Sequence, residues 1–109
     1  MKPKTEKKIR LEGFWRREKG DGLPRPVCRD VPWKGRREFM KAMCHLEYRL
    51  KPAFHKTQAA CRVCQSPNGS GEYTHKGWRW PVGLYHYVRF HNVKPSEKFV
   101  AFILREGGE

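Results

Sequence analysis

The sequence predicts a small α+β domain, and three observations carry that expectation. Cys61-x-x-Cys64 and His86-x4-His91 bracket one stretch with side chains that ligate metals. Between them lies a turn-rich, aromatic run of two short β-prone pieces. Two amphipathic segments with helical spacing lie outside that stretch, one before it and one after it. The chain has 109 residues, enough for one domain.

Residues 1–20 read as a basic, flexible arm. Lys2, Lys4, Lys7, Lys8, Arg10, Arg16 and Arg17 are spread along it. Ile9, Leu11 and the Phe14-Trp15 pair are candidates to hold part of it extended against the domain. Trp15 beside Arg16 and Arg17 also suits base stacking next to a phosphate contact. Residues 21–109 read as a single zinc-binding domain. Its first part is broken by Gly20, Gly22, Pro24, Pro26, Pro32 and Gly35 and is expected to be loop. Trp33 is a packing anchor there, and Cys28 an isolated thiol.

Arg36 to Leu50 is the clearest helix. Phe39, Met43, Leu46 and Leu50 form one apolar face, and Pro52 ends it. Arg36 and Arg37 stand at its start, where the helix dipole disfavours cations; a bound phosphate would relieve the conflict. Cys44-His45 on this helix lacks a second ligand pair nearby in sequence. Residues 51–60 connect the helix to the cysteines, and Lys51, His55 and Lys56 extend the basic surface.

The four ligand candidates then follow. Zn²⁺ prefers four thiolate and imidazole ligands in a tetrahedron. Cys61 and Cys64 can reach one ion from a single tight turn, and His86 and His91 can complete the set from a helix. The gap between the pairs is 21 residues, longer than the ~12–15 of the DNA-reading finger. A hairpin fits the extra length: Asn68-Gly69-Ser70-Gly71 turns the chain, and Glu72–Thr74 and Trp78–Trp80 flank His75-Lys76-Gly77, with Gly77 free for positive φ. Pro81 suits the first turn of the following helix. The order is cysteine knuckle, hairpin, helix, a treble-clef-like or ββα unit. The i,i+5 histidine pair predicts a 3₁₀ or distorted last turn. His75 is the first substitute if His86 or His91 is not a ligand. A redox pair at Cys61 and Cys64, a disulfide set with Cys28 and Cys44, and ordinary histidines are the competing readings. Ser96 and Glu97 start a final helix with Phe99, Val100, Ile103 and Leu104 on one face, stopped by Gly107-Gly108. That face is expected to close against the Arg36–Leu50 helix. Most aromatics must be core, leaving one or two exposed.

The motifs CRVC at Cys61–Cys64, NGSGEY at Asn68–Tyr73 and WPVGLYHYVRFHNVKPSEKF at Trp80–Phe99 resemble a group of small bacterial and phage-type zinc-binding proteins with no established activity. The resemblance spans residues 59–103 and implies a compact metal-binding module with no enzymatic role. The chain also resembles double-cysteine, double-histidine fingers, apart from the longer central gap.

Composition bounds function. The net charge is +13, and +10 of it precedes residue 61. That asymmetry points to a polyanion contact by the N-terminal half, with Arg36 and Arg37 joining the basic residues of the arm. The expected function is therefore a non-catalytic, zinc-binding accessory protein that binds DNA, RNA or a ribonucleoprotein. The alternative is a protein-interaction module, such as a phage-type modulator or a subunit of a larger complex. A metal-dependent nuclease is a weaker third reading, since His91-Asn92 is the only fragment of a catalytic motif. No run approaches the ~18 apolar residues of a membrane span. Four cysteines without a secretion signal predict a reducing compartment, the cytoplasm.

Overall fold

A computed structural model of the chain describes residues 9–14, 23, 25–54 and 59–108. Lys2, Lys4, Lys7, Lys8, Trp15, Arg16, Arg17, His55 and Lys56 lie outside the described residues. The elements are β1 (Arg10–Leu11), α1 (Arg36–Arg49), β2 (Ala53–Phe54), β3 (Gly71–His75), β4 (Trp78–Pro81), α2 (Leu84–His91) and α3 (Glu97–Gly107). The architecture is α+β, with a mixed four-stranded sheet ordered β1-β4-β3-β2. No helix among the described residues is long and apolar enough to cross a membrane.

The hairpin forms where the turn residues require it. Tyr73 pairs with Trp80 and His75 with Trp78. Lys76 and Gly77 turn the chain with φ of 45° and 89°, the two positive values a tight two-residue hairpin needs. Pro81 departs from expectation, because it is the last residue of β4 and α2 begins only at Leu84. The Val82 amide bonds back to Gly71 O across the hairpin at 2.9 Å. The alternate position, Pro81, therefore directs its missing N–H to the opposite side, beyond the register in which β1 pairs with Arg79. The proline costs the ladder nothing there.

Trp78 and Trp80 point to the same face of β4 by the two-residue period, and both are buried. They meet Phe99 and Phe102 of α3, with ring centroids 5.2 Å apart for Trp78–Phe99 and 5.4 Å for Trp80–Phe99. Edge-on and offset contacts of this kind favour such pairs. Phe39, Met43 and Leu46 of α1 complete the core. Trp80 Nε1 donates to Glu47 at 2.8 Å, and burial pushes that carboxyl up to about 7. Trp33 is the expected anchor: it is buried, lies 5.6 Å from the Phe39 ring, and donates to Val93 O at 3.2 Å.

Residues 9–14 of the expected arm are built into the fold. Arg10 N–H reaches Gly77 O at 2.8 Å, and the Glu12 carboxylate accepts from Ser96 N at 2.9 Å and from Ser96 Oγ at 2.8 Å. A carboxylate at the start of α3 also complements its dipole. Ser96 Oγ caps α3 by accepting from Phe99 N at 3.3 Å, as the sequence predicts. The helix runs one residue further than expected, through Gly107.

Gly107 marks the closest approach of α3 to α1. A Cβ there would overlap the Ala42 carbonyl oxygen and press on Leu46 Cβ. Alanine is ordinarily the better helix residue by about 1 kcal/mol, so the sign of the substitution tests the packing. Gly107→Ala is expected to destabilise the protein by about 1–3 kcal/mol in denaturant unfolding. A neutral or stabilising result would show that the two helices do not cross this closely.

Candidate metal centre

The site is assembled from a turn and a helix. In the turn, Cys61 N–H donates to Ser66 O and Gln65 N–H to Cys61 O, each at 2.9 Å. Gln65 adopts a positive φ of 66°, which reverses the chain. The Val63 and Cys64 amides point at Cys61 Sγ from 3.3 and 3.5 Å. Two N–H groups aimed at one sulfur suit a thiolate, which is the form that binds metal. Ala60 and Pro67 form an isolated bridge beneath the turn. This is the expected knuckle.

α2 presents the histidines. Each helical residue advances by about 100°, so His86 and His91 lie about 140° apart around the axis. In each it is Nε2, the distal ring nitrogen, that approaches a cysteine sulfur. His86 Nε2 is 3.4 Å from Cys64 Sγ, and His91 Nε2 is 3.4 Å from Cys61 Sγ. All four ligand atoms lie within 4.8 Å of one another. A tetrahedral ion bound at about 2.0–2.3 Å separates its ligands by roughly 3.3–3.8 Å. Cys61, Cys64, His86 and His91 are therefore positioned to hold a metal ion.

The expected helical distortion is present in another form. The first turn tightens, with His86 N–H on Gly83 O at 3.1 Å. The last turn widens, since the Asn92 amide reaches back to Tyr87 O with Asn92 at a φ of 53°. That end is held from outside. Arg36 Nη1 donates to Val88 O at 3.2 Å and to Arg89 O at 3.0 Å. Arg29 N–H donates to His91 O at 3.1 Å, and Asn92 Nδ2 to Arg29 O at 3.1 Å. Arg36 thus neutralises the carbonyl end of α2, which resolves the charge conflict read at the start of α1.

Two further contacts fix the knuckle on the helix. Tyr87 is buried, and its hydroxyl accepts the Arg62 amide at 2.7 Å. Asn68 packs so tightly on Gly83 that any Cβ at Gly83 would collide with it. Neither contact was legible in sequence. Tyr87 falls between the two histidines around the helix, on the side that faces the knuckle, and that angular position was the available signal.

The other expected site residues divide. His75 is not part of the cluster: its Nε2 sits 3.2 Å from Glu106 Oε1, at the end of β3. Cys44 and Cys28 are free, exposed thiols. The guanidinium of Arg10 lies over the Trp78 ring, 5.4 Å from its centroid. Arg36 is committed to α2 rather than displayed, whereas Arg37 is exposed. Phe90 is the aromatic of this module that stays outside, 61% exposed.

The electrostatics separate the thiols. Ser66, then His91 and His86, hold the Cys64 thiol down at about 5. Burial pushes the Cys28 and Cys44 thiols up. A depressed folded-state value favours the thiolate, so its contribution is complete above the unfolded value and is lost as pH falls through about 5. Because protons compete with metal for this thiolate, metal affinity is expected to begin falling as pH drops through about 5. After chelation near neutral pH, Cys64 is expected to be alkylated ahead of Cys28 and Cys44, and added metal to protect it, as read by peptide mass spectrometry. Equal labelling of all exposed thiols would contradict this.

Gly83→Ala tests the seating of the knuckle. The added methyl displaces Asn68, so metal affinity is expected to fall by roughly 10-fold or more, on the scale seen for groups that support metal ligands. Competition with a chelating dye measures it. The chain matches no protein-family model, no curated protein and no solved structure, so its site is defined by geometry and donor chemistry.

Proposed function

We propose that this protein is a non-catalytic accessory protein, folded around one structural Zn²⁺, that binds nucleic acid or a ribonucleoprotein through a basic surface. The donor set supports zinc, because two thiolates and two imidazoles match its preference over Mg²⁺ or Ca²⁺. Four protein ligands leave no position for a reactive water, which supports a structural role over the metal-dependent nuclease. The small bacterial and phage-type zinc proteins that the C-terminal half resembles fit the same reading.

The observation that carries the nucleic-acid contact is the outer face of α1. Arg37, Lys41, His45 and Tyr48 are all exposed and fall on one stripe at helical spacing, with Tyr48 91% exposed. Glu38, also exposed, flanks the stripe at its start beside Arg37 and Lys41. Cations next to an open aromatic ring suit phosphates beside unpaired bases. The basic residues before Ile9 add to it in this reading.

Exposed Val27 and Val31, in the extended segment ahead of α1, favour a second reading, the protein-interaction module. Capture of partners with and without nuclease separates the two. A partner that survives nuclease supports the second reading, and one lost with the nucleic acid supports the first.

Purified protein is expected to carry about one zinc per chain and to lose it in Cys61→Ser and His91→Ala. Affinity for an oligonucleotide is expected to fall steeply with salt. Replacing Arg37 and Lys41 together by Gln should lower the salt slope by roughly 1–2. Salt-independent affinity, or none for DNA or RNA, would remove the nucleic-acid reading.

A further inference from the structure

Phe90 stands apart from the other large apolar side chains of the hairpin–helix module. Trp78, Trp80, Leu84, Tyr87 and Val88 are buried, but Phe90 remains 61% exposed. Its place follows from the helix. Counted from His86, Phe90 falls at about 40° and Tyr87 at about 100°, so both lie between the two histidines. Tyr87 is taken by the knuckle, and Phe90 is left at the outer rim of the metal centre.

The ring is not loose there. His86 backs it, with centroids 5.1 Å apart and planes at 38°. His86 is in turn held at Cys64, so the backing ring is fixed by the metal centre. The Arg89 guanidinium lies over the Phe90 ring, 5.3 Å from its centroid. Val63, beside Cys64 in the knuckle, adds exposed apolar surface. The knuckle from Cys61 to Ser70 and the helix from Leu84 to His91 contain Arg62 and Arg89 and no acidic residue, and Asp30 follows Arg29 where that segment docks on His91 O. Arg36 joins the end of α2 to the start of α1, the helix that carries the basic stripe.

We propose that Phe90, with Arg89 lying over it in the free protein, is a base-stacking platform for single-stranded nucleic acid, backed by His86 of the metal centre. The assignment rests on the nucleic-acid reading above and names its substrate class and contact point. A flat ring accepts any unpaired base, which takes the place of the flexible Arg89 guanidinium over it, and the displaced guanidinium suits the following phosphate. Duplex DNA or RNA keeps its bases stacked on each other and offers this ring nothing. An acidic peptide would use the arginines and leave the ring idle.

The test uses the full-length, metal-loaded chain and fluorescence anisotropy with an oligo(U) strand, an oligo(dT) strand and a blunt duplex of equal phosphate number. The single strands are expected to bind more tightly than the duplex. Phe90→Ala and Phe90→Leu should each weaken single-strand binding by roughly 5- to 100-fold. Phe90→Trp should retain it, and metal content should stay at the wild-type level in all three. Leucine keeps apolar bulk without a π-face, so it separates stacking from packing. Wild-type single-strand affinity in Phe90→Leu, equal affinity for duplex, or competition by poly-glutamate as strong as by oligo(U) would overturn the platform while leaving general nucleic-acid binding intact. Absence of binding to every nucleic acid would overturn both.

Discussion

The hold of the cysteine turn on α2 is the constraint on which the rest of this structure depends. The turn has little apolar surface of its own. Cys61, Tyr87 and Val93 form a small cluster separate from the main core. A cluster that small cannot offset the entropy of ordering the turn. Polar contacts and ligand geometry have to supply the difference. The Tyr87 hydroxyl satisfies the Arg62 amide, Gly83 leaves room for Asn68, and the four ligand atoms converge. An ion bound there would link these contacts into one unit, because its binding free energy would become folding free energy.

That unit is joined to the larger core by Leu84 and Val88 and by the far end of α2. The last carbonyls of a helix need partners. Here they come from the chain well before the helix, from Arg29 and Arg36. Arg36 sits at the first turn of α1, so the position of the histidines is referenced to the core helix. The main core is in turn an aromatic layer: Trp78 and Trp80 below, Phe99 and Phe102 above, Phe39 at the side. A change in α1 can therefore reach the metal site without touching a ligand.

Much of this was legible in the sequence where one residue type imposes one geometry. Gly77 after Lys76 gave the hairpin turn, the spacing of Phe39, Met43 and Leu46 gave α1, and Ser96 gave the start of α3. The Cys-x-x-Cys and paired histidines gave the cluster of four. The parts that escaped are those decided by distant partners. Pro81 reads equally well as a helix start or a strand end, and only the register against β1 and β3 settles it. Arg36 looked misplaced because its partner is the end of another helix. β2 is two residues long and exposed, and its pairing with β3 has no signal in composition. The phenol of Tyr87 and the contact between Asn68 and Gly83 depend on how the turn docks, which spacing does not encode.

The sheet order carries a consequence for how the chain assembles. β1 is the earliest strand in sequence, yet its partner is β4, and the pairing is parallel. The intervening chain includes α1, β2, the knuckle and β3. Closing so long a loop for two residues of pairing gains little until β4 is already in place. The hairpin and α2 involve near neighbours and close short loops, whereas β1 waits for a finished edge. The order of strands along the chain and the order of their placement are thus reversed at its two ends, and the first strand serves as the latch rather than the seed.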